Sequence, residues 1–110
     1  DVEPVSKVDF DCFGSHTFVE RLKGMNRKTL ILSGIEAHIC VAQTAISAVA
    51  DYTVHVVSDA VSSRSVHDRE VALERMTQAG VTLTSTEMVI YEILQRAGTD
   101  IFREVLKLVK

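Results

Sequence analysis

Nowhere in the 110-residue chain do lysine and arginine gather into a block, and the formal net charge is −3. A nucleic-acid backbone or an anionic membrane surface is met by a basic face, so neither is expected as a partner. A small-molecule substrate, even an acidic one meeting a locally positive pocket, remains compatible. Cysteine is almost as scarce. Cys12 and Cys40 are the whole supply, too few for a disulfide framework and without the close ligand spacing of a zinc site, so no metal is expected. A reduced, cytoplasmic setting is the corresponding expectation. No run approaches the roughly 18 apolar residues of a membrane-crossing helix, and Asp1 to Phe10 has neither the charged head nor the apolar middle of a secretion signal. No GK[ST] triplet exists and GIEAHIC does not have the glycine spacing of a dinucleotide loop, so no cofactor is expected. The length suits one small domain, whose site must come from one core or be shared between subunits. The opening DVEPVSK, without an initiator Met, suggests a processed or truncated piece.

What is present is an alternation of short apolar runs and amphipathic segments. TLILSGI, Thr29 to Ile35, has the pattern of a strand buried on both faces. TVHVVS, Thr53 to Ser58, is a second strand and Val81 to Thr84 a weaker third. Between the first two, Ile39 to Ala50 is too long and too alanine-rich for a strand and predicts a buried helix. Ser65 with Asp68 opens a second helix through Ala79, ended by Gly80. Thr84 with Glu87 reads as a capping box for a helix reaching about Arg96. Thr99 or Asp100 then caps a last one, in which Ile101, Phe102, Val105, Leu106, Leu108 and Val109 recur at helical spacing. Right-handed crossovers turn this order into an α/β fold, a Rossmann-like parallel sheet with helices on both faces, hence three layers α/β/α. Before Thr29 the pattern is looser. Val5 to Phe10 can be extended, SHTFVERLKG a short helix around Phe18 and Leu22, and Asp9, Asp11 and Gly14 loop. TLILSGI is too apolar for a sheet edge. Its neighbour is expected upstream of Asp1, with Val5 to Phe10 or another subunit as the alternatives.

Sites in open parallel sheets form at the carboxyl ends of strands. Gly34 to Ile39 is such a loop, and Cys40 follows in the first helical turn. Unpaired N–H groups there favour a thiolate and can hold a developing oxyanion. A free cysteine is equally a common core residue, and the pattern alone leaves both readings of Cys40 open. Cys12 reads as packing. Lys7, taken alone, is a solvated charge.

LILSGIEAHICVAQTAISAVADYTVHVVSDAVSSRS resembles the isochorismatase-like cysteine hydrolases, a family that includes nicotinamidases and N-carbamoylsarcosine amidases. The match falls at Gly34, Cys40, Val41, Thr44, Ala45, Asp59 and Ala60, and TLTSTEMVIYEIL resembles the family's late Thr-Ser/Thr-Glu segment. The resemblance implies that Cys40 is the nucleophile of an amide-cleaving hydrolase working through a thioester. It implies that Lys7, shortly before FDCF, is the lysine of the triad, although Asp11 stands where Ser is common. It further implies a cis peptide between Ile35 and Glu36, with the Glu36 and Cys40 backbone N–H groups as oxyanion hole. Ile35, His38 and Phe13 are the candidate pocket residues. The family's first strands, its triad aspartate and the Asp-His metal cluster of nicotinamidase-like members have no counterpart here. The chain therefore reads as one isochorismatase-like domain without its N-terminal part. Homo-oligomers, dimers or larger, are implied as well. The alternative is a non-catalytic oligomeric scaffold on the same fold.

Other polar residues carry weaker signals. His38 can line the pocket or be hydrogen-bonded structurally. His55 and His67 read as structural, and His16 has no evident place. Asp59 is expected to accept N–H bonds from the turn that follows it. Arg64 is a contact for an anionic substrate, an exposed surface charge or a subunit contact. Met88, Val89, Tyr91 and Ile93 suit a core or an oligomer contact.

Overall fold

A computed structural model describes residues 2–109. A short 3-10 turn, Cys12–Gly14, leads into helix α1, His16–Gly24. Strand β1 follows at Thr29–Ile35, then a wide π-type turn, Ala37–Val41, which runs directly into α2, Ala42–Ala48. The remainder is β2 (Thr53–Ser62), α3 (Val66–Gln78), β3 (Thr82–Thr84), α4 (Thr86–Leu94) and α5 (Asp100–Val109). The three strands are parallel in the order β1-β2-β3.

Alternation along β2 builds the layers. Val54 and Val56 are buried in one cluster with Ala37, Val41, Ala42 and Ala45 and with Ala72 and Met76 of α3. The small alanines let α2 approach the sheet backbone closely, and Met76 fills the remaining space with no exposure at all. Burying such a side chain contributes about 1.5–3 kcal/mol. On the opposite face, His55 of β2 lines a shallow cleft with Val89, Glu92 and Ile93 of α4. Helices thus cover both sides, as expected from the strand-helix order.

Several boundaries differ from the sequence reading for local reasons. Alanine-rich Ile39–Ala50 was expected to be one helix. It starts instead as the wide turn at Ala37, because the Glu36 carbonyl accepts both the Ile39 N–H (3.1 Å) and the Val41 N–H (3.2 Å). Ser85, not Thr84, caps α4, its hydroxyl accepting the Met88 N–H at 3.2 Å. Thr84 is spent as the buried last residue of β3. That helix ends at Leu94, before Arg96, where Gln95 turns to φ 64°. Ser65 caps α3 and Thr99 caps α5.

β1 is not buried on both faces. Leu30 and Leu32 pack on the core while Ile31 is 50% exposed, because β1 lies at the sheet edge and no described strand covers its far side. Val5 to Phe10 does not supply one; it is irregular, with bends at Val8 to Phe10. β2 runs to Ser62 rather than Ser58 and bulges. Leu32 pairs with Val56 but Gly34 pairs with Val61, so β2 leaves its ladder with β1 between them, while Val57 still pairs with Thr84 of β3, and the bulge carries Asp59 towards α4.

Candidate active site

β1 leaves the sheet at Ile35, and its last turn of backbone needs glycine: Gly34 has φ 119° with open space where a Cβ would stand, so conformation rather than crowding demands it. The Ile35–Glu36 peptide is cis, and the wide turn then presents Cys40 at the carboxyl end of the strand. Cys40 is half-buried, not sealed in the core.

The Lys7 ammonium faces this sulfur at 3.6 Å and donates to the Asp9 (2.8 Å) and Phe10 (3.0 Å) carbonyls. An ammonium has three N–H donors and no acceptor. Two carbonyls and the sulfur therefore use its full capacity. The segment carrying Lys7 is fastened to α2 twice. The Cys12 N–H donates to the buried Thr44 hydroxyl at 2.9 Å, and the Ser47 hydroxyl donates to the Asp11 carboxylate. Asp11 also caps the 3-10 turn by accepting the Phe13 N–H. Neither tether to α2 has a local sequence signal, since each joins residues more than thirty positions apart.

A second cluster lies behind the turn. The Glu36 carboxylate is 3.2 Å from Arg64 Nε and 3.8 Å from His38 Nδ1. His38 Nδ1 is also 2.8 Å from the Ser63 hydroxyl, and its Nε2 lies 3.8 Å from the Asp68 carboxylate. Arg64 thus pairs with a carboxylate of the turn. Sequence reasoning singled out Glu36, His38 and Arg64 separately and missed their pairing, along with the part of Asp68.

The three expected pocket residues are not gathered into one cleft. Phe13 turns into the structure, edge-on to Phe18 (centroids 5.5 Å apart) and tilted against Tyr52. His38 opens onto a separate cleft with Asp68 and Arg75, and Ile35 projects to solvent. The hollow beside Lys7, about 330 Å³, is lined by Ser6, Val8, Asp9, Gly14 and Ser15. Among the described residues, no group of three or more His, Cys, Asp or Glu side chains is placed to hold a metal ion.

Asp59 does not bond its own turn. It accepts the backbone N–H (2.8 Å) and hydroxyl (2.9 Å) of Thr86, at the start of α4. These bonds, the backbone one foremost, hold its carboxyl below the usual carboxylate value.

Fold and site together define a three-layer α/β domain with a thiol and an ammonium meeting at the carboxyl end of a parallel strand. The Isochorismatase domain model matches residues 1–88, and the chain belongs to that family. It is 46% identical over 85 residues to the secreted isochorismatase effector Isc1 of Phytophthora sojae, a match covering 76% of this chain and 40% of that protein. With isochorismatase domain-containing protein 2 of Danio rerio it shares 40% identity over 109 residues, 97% of this chain and 55% of the relative. Among solved structures, MAR1 ribonuclease from Caenorhabditis elegans superposes with a TM-score of 0.83 at 40% identity, over 94% of this chain and 53% of that one. The YcaC gene product of Escherichia coli, described as an octameric hydrolase of unknown specificity, gives 0.82 at 31% identity, over 87% and 48%. The chain carries the isochorismatase-family hydrolase fold and spans about two fifths of the length of the first curated relatives it matches.

Proposed function

We propose that the protein is a hydrolase of small molecules that cleaves an amide-like C–N bond through a thioester on Cys40. The observation carrying this reading is the 3.6 Å approach of the Lys7 ammonium to a half-buried sulfur at a strand's carboxyl end. The Cys40 thiolate adds to the carbonyl carbon and the oxygen takes the negative charge, held by the Glu36 and Cys40 N–H groups. The C–N bond then breaks as the nitrogen takes up a proton, and water hydrolyses the thioester to the acid. Lys7 stabilises the thiolate and the developing charge. The proton is moved by an aspartate outside residues 1–110, in the N-terminal part of a domain of which this chain is the remainder. Support for that part comes from the uncovered edge of β1 and from relatives about twice as long.

The proposed setting is cytoplasmic, resting on two unpaired thiols; the Phytophthora relative, named as secreted, is the counterexample, and subcellular fractionation decides. A homo-oligomer is proposed by likeness to octameric YcaC and from exposed Ile31, Ile35 and Ile93. The same exposed side chains favour the second reading, a non-catalytic scaffold. Ribonuclease activity, the printed function of the Caenorhabditis structure, is disfavoured by the acidic net charge.

The test is turnover of a panel of small primary amides by the unsubstituted chain, joined to its N-terminal part where one is encoded, and by Cys40→Ala. Loss of turnover in the variant supports the hydrolase. Full turnover without the thiol eliminates it. A scaffold would turn over none of the panel, and both of its cysteines would react only in denaturant.

A further inference from the structure

Glu36 occupies an unusual position. Its backbone caps the turn that carries Cys40, its carbonyl accepting two N–H groups of that turn. Its side chain points the other way, towards the connection between β2 and α3. There Oε2 is shielded from solvent and finds no hydrogen bond of good geometry among the described residues; its partners are ionic, Arg64 Nε at 3.2 Å and His38 Nδ1 at 3.8 Å. A shielded carboxylate oxygen without hydrogen bonds is costly unless a charge compensates it. Arg64 is the nearest cation, and it is 80% exposed, so only a small part of it is committed to packing. His38 is held in turn by the Ser63 hydroxyl and faces Asp68 of α3. The charged groups around the imidazole are Glu36 from the turn and, across the cleft it lines, Asp68 and Arg75 from α3, with Arg64 beyond Glu36.

We infer that the Glu36–Arg64–His38 cluster is a clamp whose task is to fix the Glu36 backbone N–H relative to the Cys40 sulfur. These three are positioning residues rather than catalytic ones. Arg64 draws the Glu36 carboxylate towards the end of β2, and His38, bonded to Ser63, keeps the turn from rotating about that tie. The residue so held is the one whose N–H serves the oxyanion. An oxyanion donor works only within a few tenths of an ångström of the right place, so a displacement of about 1 Å costs on the order of a hundredfold in rate. The inference rests on the nucleophile reading of Cys40 and extends it to what aligns the site.

The test separates addition to a carbonyl from plain thiol reactivity. With p-nitrophenyl acetate, Cys40 Sγ bonds the acetyl carbon and p-nitrophenolate departs, a step that develops an oxyanion yet needs no proton for the leaving group. Iodoacetamide alkylates the same sulfur by displacement of iodide, without an oxyanion. Both rates are measured on the full chain, with the modified cysteine located by peptide mass, for Arg64→Ala, Arg64→Lys and Glu36→Gln. The clamp predicts that Arg64→Ala and Glu36→Gln acetylate about tenfold to a hundredfold more slowly while alkylating within about twofold of the parent, and that Arg64→Lys recovers part of the loss. Unchanged acetylation in the exposed Arg64→Ala variant overturns the clamp and leaves the nucleophile reading intact. Equal loss of both reactions also overturns it, as a merely structural effect. Absence of acetyl-Cys40 in the parent overturns the nucleophile reading and the clamp together.

Discussion

Replacing Lys7 by methionine keeps most of the side chain's length and removes the charge 3.6 Å from the Cys40 sulfur. Loss of that charge-assisted contact is expected to slow iodoacetamide labelling of Cys40 in Lys7→Met relative to the parent. Labelling of Cys12 in the same sample is the internal control, and equal slowing at both would count against a specific pairing. Asp59 gives a prediction in pH. Its carboxyl titrates lower in the folded protein than the ordinary 3.8 because Thr86 bonds the ionised form. The unfolded chain therefore binds its proton first as pH falls, so the stabilisation is present above about 3.8 and is lost as pH drops through the lower folded value. Asp59→Asn should flatten the melting temperature's dependence on pH as pH falls below about 3.8; an unchanged profile would refute the assignment. At this scale the sequence was only partly legible. The carboxylate of Asp59 had a visible structural role but the wrong partner, because a bulge in β2 invisible to periodicity swings it to α4. Lys7 has no signal of its own; its partner lies 33 residues away.

Elements were easier to read than their joints. β1 was placed to the residue, since TLILSGI is bounded by its own composition; the cap at Ser65 followed from hydroxyl chemistry, and of Thr99 and Asp100, both open in the sequence, Thr99 is the cap of α5. At α4 two hydroxyls compete, and the sheet decides: Thr84 completes β3, leaving Ser85 to cap. Ser85→Ala is accordingly expected to cost about 1 kcal/mol in urea unfolding and Thr84→Ala to act through lost packing instead. The wide turn at Ala37 was missed because it is closed by a single carbonyl outside the helical pattern. The joint between the Lys7 segment and α2 matters most. Thr44→Val keeps the shape but leaves the Cys12 N–H without its acceptor, an expected cost of about 1–3 kcal/mol. If that tether places Lys7, the variant should also share the slow labelling of Lys7→Met, whereas normal labelling would mean the segment is held elsewhere.

For the molecule as a whole, the accessible surface is 7762 Å², against roughly 6,100 Å² for a compact monomer of this size. The radius of gyration, 15.2 Å, likewise exceeds the ordinary value of about 13 Å. Large apolar side chains are among the exposed groups. Ile31 of β1 and Ile93 of α4, the latter 71% exposed, line the same shallow cleft. Amphipathic α5 leaves Ile101 and Leu108 outside. The class of fold was legible because strand-helix alternation permits few arrangements. The open edge was also foreseeable, since an apolar strand with no partner is a contradiction that only additional chain or another copy resolves. Sedimentation of the isolated chain should accordingly show concentration-dependent association, reduced by joint Ile31→Lys and Ile93→Lys substitution. A monomer at every concentration would contradict it.

The account turns on whether a covalent acyl group forms on one sulfur rather than the other. Treating the native chain with p-nitrophenyl acetate and mapping the adduct by peptide mass tests this directly. The expected result is acetyl on Cys40 and none on Cys12, with the remaining Cys12 also unmodified in Cys40→Ala. Acetyl on both cysteines alike, or on neither, would contradict it.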